Sequence, residues 1–180
     1  METNSINTVE IIMKKYGDMV YQLALSQTKS KANAEDIYQE VFLKLIVKKP
    51  HYENEEHLKA LLIRMTVNKC KDLWKSAWFR NTIPYEIIED TRSYPAKEES
   101  KSDIYECVIS LPEKYRVIIH LFYYEEMSIE EIGNSLKMKY GTVASKLSRG
   151  RKLLKERMEG DYYGRVETGV HSWSEEKQNT

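Results

Sequence analysis

Residues 81–100, NTIPYEIIEDTRSYPAKEES, constrain the fold of this chain more than any other stretch. They hold two prolines, a surplus of acids and no regular apolar period. Proline removes a backbone donor and disfavours helical geometry in the residue before it, so no long helix continues through such a segment. It reads as a linker over 81–102 that divides the chain into two small units, 1–80 and 103–158. Fully extended, its twenty central residues reach roughly 65 Å, and as a random coil they average about 25 Å. The polar, aperiodic text of 159–180 reads as a disordered tail.

On both sides of the linker the apolar residues recur at intervals of three and four, while strand-like alternation is nearly absent. The expected fold is all-α: two small helical domains joined by a flexible linker. A first helix is expected over about 6–28, with Ile12, Tyr16, Met19, Val20, Leu23 and Ala24 facing inward. Asn33 reads as the N-cap of the next helix, with Asp36 at its third position. That helix buries Ile37, Val41 and Leu45 and stops before Pro50. A third helix, from about Glu55 to Phe79, carries two apolar rows: Leu58, Leu62 and Met65, and Ile63, Val67, Cys70 and Trp74. A polar row of Arg64, Asn68, Lys71 and Lys75 runs alongside. Beyond the linker, Ser110 with Glu113 and Ser128 with Glu131 each have capping-box spacing. Val117, Ile118, Leu121 and Phe122 supply a core helix between them.

Charge is balanced over the whole chain, 28 Lys and Arg against 28 Asp and Glu, yet residues 138–158 (MKYGTVASKLSRGRKLLKERM) hold seven bases and one acid. Neutrality overall does not remove such a local positive field. From Ser128 the text gives a short helix (Ile129, Ile132, Leu136), a turn around residues 137–139, and a longer helix. Val143, Leu147 and Leu154 point inward there, while Lys146, Arg149, Lys152 and Arg157 stay outside. A solvated charged face is the plain alternative. The capping box, short helix, turn and basic helix together instead describe a helix-turn-helix, whose second helix enters the DNA major groove with its N-terminal side chains on base edges. Thr142, Ser145, Lys146 and Arg149 hold that leading position. Gly141 lets the backbone approach phosphate at the helix N-terminus.

No apolar run approaches the roughly 20 residues of a membrane span, and the first residues, METNSINTVE, lack the pattern of a secretory signal. No membrane insertion and a cytoplasmic location are expected. The two cysteines, Cys70 and Cys107, form no metal-ligand pattern and are expected to be buried thiols. Neither metal nor cofactor is expected. A hydrolase built on Asp36, Glu40, His51 and His57 would lack a Gly-rich phosphate loop, a nucleophile elbow and a zinc-ligand spacing. No catalytic residue is assigned, and the chain is read as a non-enzyme.

The segment LPEKYRVIIHLFYYEEMSIEEIGNSLKMKYGTVASKLSRGRKLL resembles the C-terminal DNA-binding domain of bacterial sigma factors, specifically the small extracytoplasmic-function group. AEDIYQEVFLKL resembles the polymerase-binding helix of the first sigma domain, and LIRMTVNKCKDLWK its promoter-melting helix. The resemblance covers about residues 8–158, in the family's order. It implies a dissociable promoter-specificity subunit: residues 1–80 bind core RNA polymerase and the unpaired −10 element, and 103–158 read the −35 element as duplex. Asp36, Gln39, Glu40, Phe42 and Leu43 would meet the polymerase clamp. Arg64, Asn68, Lys71, Asp72 and Lys75 would hold the single strand, with His51, Tyr52 and Asn54 of the preceding loop as candidates for capturing a flipped base. Trp74 fits core packing better than stacking, whereas Trp78 and Phe79 beside Arg80 suit an exposed aromatic-basic end. Arg116 would contact phosphate. Lys139, Tyr140, Gly141, Thr142, Ser145, Lys146 and Arg149 would read the duplex.

Four positions depart from the family pattern. Lys137 stands where a turn glycine is usual, Lys139 where a Ser N-cap is usual, Ala144 where a base follows GTV, and Gly150 where alanine is common. Implied partners are core RNA polymerase and promoter DNA, with an anti-sigma factor as a further candidate because the group is often held inactive by one. A repressor or activator could share the helix-turn-helix without being a polymerase subunit. The Asp36–Gln39–Glu40 helix and the Asn68–Asp72 pair argue against that reading.

Overall fold

The computed structural model describes residues 2–76 and 99–167, with side chains placed over 8–76 and 104–159. Every regular element among them is an α-helix: α1 (Glu2–Thr28), α2 (Lys31–Lys48), α3 (Glu55–Lys75), α4 (Glu99–Ser110), α5 (Glu113–Tyr123), α6 (Ile129–Leu136) and α7 (Tyr140–Glu167).

Helices α1, α2 and α3 pack on one another as the apolar rows require. Ile12, Tyr16, Met19, Val20, Leu23 and Ala24 are buried on α1, and both apolar rows of α3 are buried up to Cys70. Trp74 is half-buried at the row's end. The stops have local causes. Lys49 closes α2 in the left-handed region (φ 41°), with its N–H donating to the Leu45 carbonyl, and Pro50 follows. Asn54 caps α3 by accepting the His57 N–H at 2.8 Å, and Glu55 and Glu56 place acid in the first turn, where the helix dipole favours it.

Three expectations at helix ends are corrected. The N-cap of α2 is Ser30, whose side chain accepts from the Asn33 N–H; Asn33 itself lies in the first turn. Ser110 does not cap α5. It ends α4, donating its hydroxyl to the Cys107 carbonyl at 2.7 Å, and Pro112 holds the capping position of α5. Helix α7 continues nine residues past Met158, through a stretch whose two glycines, Gly160 and Gly164, had hidden the helical period.

The second group of helices is built around α7, which packs against α4, α5 and α6. Gly150 is the close-contact point with α5: a Cβ there would sit 3.1 Å from Ile119 Cγ1 and 3.4 Å from Tyr115 Cβ. The two groups also touch, α1 on α5 and α3 on α6, so their buried apolar residues merge into one continuous cluster. The described part of the expected linker, residues 99–102, belongs to α4, and the expected boundary near 81 lies outside the described residues.

Candidate nucleic-acid interface

The leading end of α7 is held by its own buried side. Val143 and Leu147 are fully or nearly fully buried, and the Lys139 carbonyl accepts from the N–H groups of Thr142 and Val143 at 2.9 and 3.1 Å. Anchored in this way, α7 exposes Tyr140, Gly141, Thr142, Ser145 and Arg149. Lys139 is exposed just ahead of them, and Lys146 is half-buried with Nζ 4.0 Å from Met138 Sδ. Nothing lies within 4 Å of the position a Gly141 Cβ would take, so the backbone is open to approach there.

The turn before α7 explains one of the departures noted above. Lys137 adopts the left-handed conformation (φ 54°, ψ 46°), and the N–H groups of Lys137 and Met138 both donate to the Gly133 carbonyl. The lysine side chain projects into solvent, so the turn keeps its shape without glycine. The irreplaceable glycine is instead Gly133, where a Cβ would fall 2.9 Å from the Met138 carbonyl oxygen. At the other end of α6 the capping box is complete: Ser128 Oγ accepts the Glu131 N–H, and the Glu131 carboxylate accepts the Ser128 N–H at 2.7 Å. Those bonds hold the Glu131 carboxyl below its ordinary value.

Arg116 does not lie on this surface. It is 3% exposed, and its guanidinium donates to the Ile109 carbonyl and, at 3.2 Å, to the Gln27 carbonyl of α1. A phosphate has no access to it in this arrangement. The physical reason is its position on the α5 face that packs against α1, one turn before buried His120.

On α3, Asn68, Asp72 and Lys75 are exposed and Lys71 is half-buried, all on the row that begins at Arg64. Arg64 itself is half-buried: Nε donates to the Ser135 carbonyl at 3.1 Å and an Nη to the Asn134 carbonyl at 3.2 Å. In the preceding loop His51 and Asn54 are exposed, with the Asn54 carbonyl oxygen committed to its cap. Tyr52 is half-buried against the core and lines, with His51, Pro50, Leu45, Ile12 and Met13, a cleft of about 610 Å³. Trp78, Phe79 and Arg80 lie outside the described residues.

On α2, Asp36, Gln39, Glu40 and Leu43 are exposed at helical spacing, and Glu40 pairs with Lys69 of α3. Phe42 departs from expectation: it is 2% exposed, packed against the Tyr38 ring at 4.9 Å between centroids. It supports the surface from beneath. Two residues missed by the sequence reading extend this face, Ile46 (44% exposed) and Val47 (70%). Their signal was present, since Val47 continues the spacing of Asp36, Glu40 and Leu43, but large aliphatic residues beyond a core row are normally assigned to the interior.

Comparison with known proteins gives this geometry a family. The model of sigma-70 region 2 matches residues 12–80, and that of sigma-70 region 4 matches residues 101–154. The chain belongs to the extracytoplasmic-function sigma factors. It is 30% identical over 156 residues to the sigma factor SigE of Mycolicibacterium smegmatis, an alignment covering 81% of this chain and 59% of that protein. Against SigW of Bacillus subtilis it is 28% identical over 162 residues, covering 82% and 87%. Two solved structures share the fold. RpoE of Bartonella quintana, solved in complex with the anti-sigma factor NepR, aligns with TM-score 0.68 at 20% identity over 83% of this chain and 96% of that one. CnrH in complex with the cytosolic domain of CnrY aligns with TM-score 0.64 at 18% identity, over 86% and 90%. In sigma-region terms, α1–α3 form region 2, and α4–α7 carry region 4.

Proposed function

We propose that this chain is the dissociable promoter-specificity subunit of a bacterial RNA polymerase. It binds core enzyme through the exposed α2 face of Asp36, Gln39, Glu40 and Leu43, continued by Ile46 and Val47. It holds the unpaired −10 strand along Asn68, Lys71, Asp72 and Lys75, and reads the −35 duplex with Thr142, Ser145, Lys146 and Arg149. The observation that carries this reading is the presence of both sigma regions, in order, on one chain. A helix-turn-helix regulator needs only the second. Sigma factors are non-enzymatic initiation factors, and no side chain here is given a catalytic role. Among the described residues no helix is long and apolar enough to cross a membrane, and a cytoplasmic site of action is part of the proposal. The complex of RpoE with the anti-sigma factor NepR supports an anti-sigma protein as a further partner.

Run-off transcription with purified core polymerase and a promoter library tests the reading. Initiation that depends on the added chain is expected; binding to DNA without initiation would reduce it to a regulator. Arg149→Ala should lower initiation about tenfold or more, since a bidentate arginine on guanine is worth about 1–3 kcal/mol of discrimination, and leave core binding intact. Asp36→Arg should do the reverse, weakening capture by core enzyme while the isolated chain still shifts duplex −35 DNA.

A further inference from the structure

Three cations gather around the C-terminal ends of α1 and α4, and among the described residues none of them forms an ion pair. Arg116 of α5 donates to the Gln27 carbonyl of α1 and to the Ile109 carbonyl of α4. Arg157 of α7 donates to the hydroxyl of Ser110, the residue after Ile109. Lys29 lies two residues beyond Gln27, in the turn between α1 and α2. Its amine is held below the usual lysine range, first by burial and then by the charges of Arg116 and Arg157, whose field it shares. The acids beside Arg157 on α7 are engaged elsewhere, Glu156 with Lys152 and Glu159 with Lys155.

The charge at this point does not balance. A helix C-terminus presents about half a negative charge, so α1 and α4 together offset about one of the three cations. Glu113 acts on Arg116 at longer range and offsets a second. The positive end of α2 begins at Lys31, with no acid in its first turn. An excess of about one and a half positive charges remains, in a chain that is neutral as a whole. Arg116 is not open to a ligand, being 3% exposed, and its Nε is buried without a hydrogen-bond partner among the described residues. Lys29 and Arg157 are half-buried and Ser110 is exposed, so these three open the cluster to solvent.

We propose that Lys29, Arg157 and the Ser110 hydroxyl form a site for the phosphate group of a small molecule, with Arg116 behind them as fixed positive charge. Guanidinium and ammonium are the side chains that hold phosphate, the one as a planar fork and the other as a point charge. The fold has already gathered the cations, so little of their freedom is left to lose on binding. A phosphate monoester carries about 1.5 to 2 negative charges near neutral pH, which matches the excess, whereas a carboxylate carries one. The site is separate from the duplex-reading stripe. Arg157 stands eight residues beyond Arg149, about 12 Å further along α7 and about 80° around it.

Equilibrium dialysis of the isolated full-length chain against radiolabelled pyrophosphate, at ionic strength held constant with sodium chloride, tests the site without polymerase or promoter. Saturable binding of one pyrophosphate per chain is expected. Lys29→Gly removes a cation at a residue whose left-handed backbone (φ 57°) favours glycine, so the fold is retained. It should weaken binding about tenfold, the loss expected for one charged hydrogen bond, and Arg157→Gln should weaken it at least as much. Helical content by circular dichroism should be unchanged in both; if Arg157→Gln lowers it, Lys29→Gly alone decides. Arg149→Gln on the reading stripe and Lys152→Gln at an exposed position of α7 should bind as the parent does. No saturable binding in the parent, or equal affinity in the parent and Lys29→Gly, would overturn the site. Loss of binding in Arg149→Gln would move the anion to the duplex-reading helix and overturn it as well. Acetate should displace pyrophosphate only weakly, and displacement at equal concentration would overturn the choice of a phosphate ligand. A duplex of unrelated sequence should leave pyrophosphate bound; its displacement would assign the cations to DNA backbone and overturn the small-molecule reading.

Discussion

Gly150 gives up about 1 kcal/mol of helix propensity relative to alanine, and its surroundings say what that sacrifice permits. The nearest atoms to a Cβ there are Ile119 Cγ1 and Cδ1 at 3.1 and 3.3 Å, on a side chain 1% exposed. The first of these is not a free chain end, and a buried isoleucine has no room to step back. Gly150→Ala should therefore lose more in packing than it gains in propensity, because overpacking a tight core costs about 1–3 kcal/mol. A net loss of about 1 kcal/mol in urea unfolding is expected; a more stable variant would show that α5 and α7 can separate by the few tenths of an ångström required. Sequence alone identified the position as a departure but read it only as a cost, since nothing in the periodicity of α7 reveals what lies opposite. Arg116 was misread for the same reason. Its text, LPEKYR, says that a base follows the start of a helix, and only the packing of α5 on α1 decides that the base faces inward.

Among the elements, α6 shows what local sequence can and cannot specify. Its start was legible because a capping box is complete within four residues, and Ser128 and Glu131 make both of the bonds their spacing implied. The Ser110–Glu113 spacing is identical and forms no box. Pro112 intervenes, α4 reaches Ser110, and the serine hydroxyl turns back to its own helix. The α2 face was legible in its polar members and not in Ile46 and Val47, because exposed aliphatic residues cannot be told from core residues until the core is seen to be full. The end of α6 carries its own test. A non-glycine residue in the left-handed region costs roughly 1 kcal/mol, and Lys137 holds φ 54° with its side chain exposed. Lys137→Gly should raise stability by about 0.5–1 kcal/mol, the gain being trimmed by the freer unfolded chain. Thermal unfolding checks the sign. A lower midpoint would mean that the lysine side chain stabilises the turn by a contact that outweighs its backbone strain.

For the whole molecule, the contact between the two halves makes stability depend on pH through a residue that no motif singled out. His120 is 1% exposed on α5, stacked on Tyr124 at 5.2 Å, with Nε2 3.8 Å from a Glu125 carboxylate oxygen. Burial pushes the imidazole down from 6.5 to about 4. The unfolded chain therefore takes up a proton near pH 6.5 that the folded chain refuses until about pH 4. The stability associated with neutral His120 is complete above pH 6.5 and is lost as pH falls through that window, by up to about 1.4 kcal/mol per pH unit. Glu125 acts in the opposite sense. Burial raises its carboxyl, against the lowering influence of Lys59, so its protonation favours the folded state as pH falls. Urea unfolding at pH 7, 6 and 5 should show a steady decline in the parent chain. His120→Leu should flatten that decline and be no less stable at pH 7, since it removes a buried nitrogen without a hydrogen-bond partner among the described residues and keeps an apolar group of similar reach. Parallel decline in parent and variant would transfer the acid sensitivity to another group. Because α5 carries both His120 and Arg116 and packs on α1, charging the imidazole also introduces a second cation one turn from a guanidinium already held in the interior. The distance between spin labels at Lys14→Cys and Lys152→Cys, both exposed positions, should therefore lengthen over the same pH series before helical content is lost, and loss of helix at unchanged distance would separate the pH response from the contact between α5 and α1.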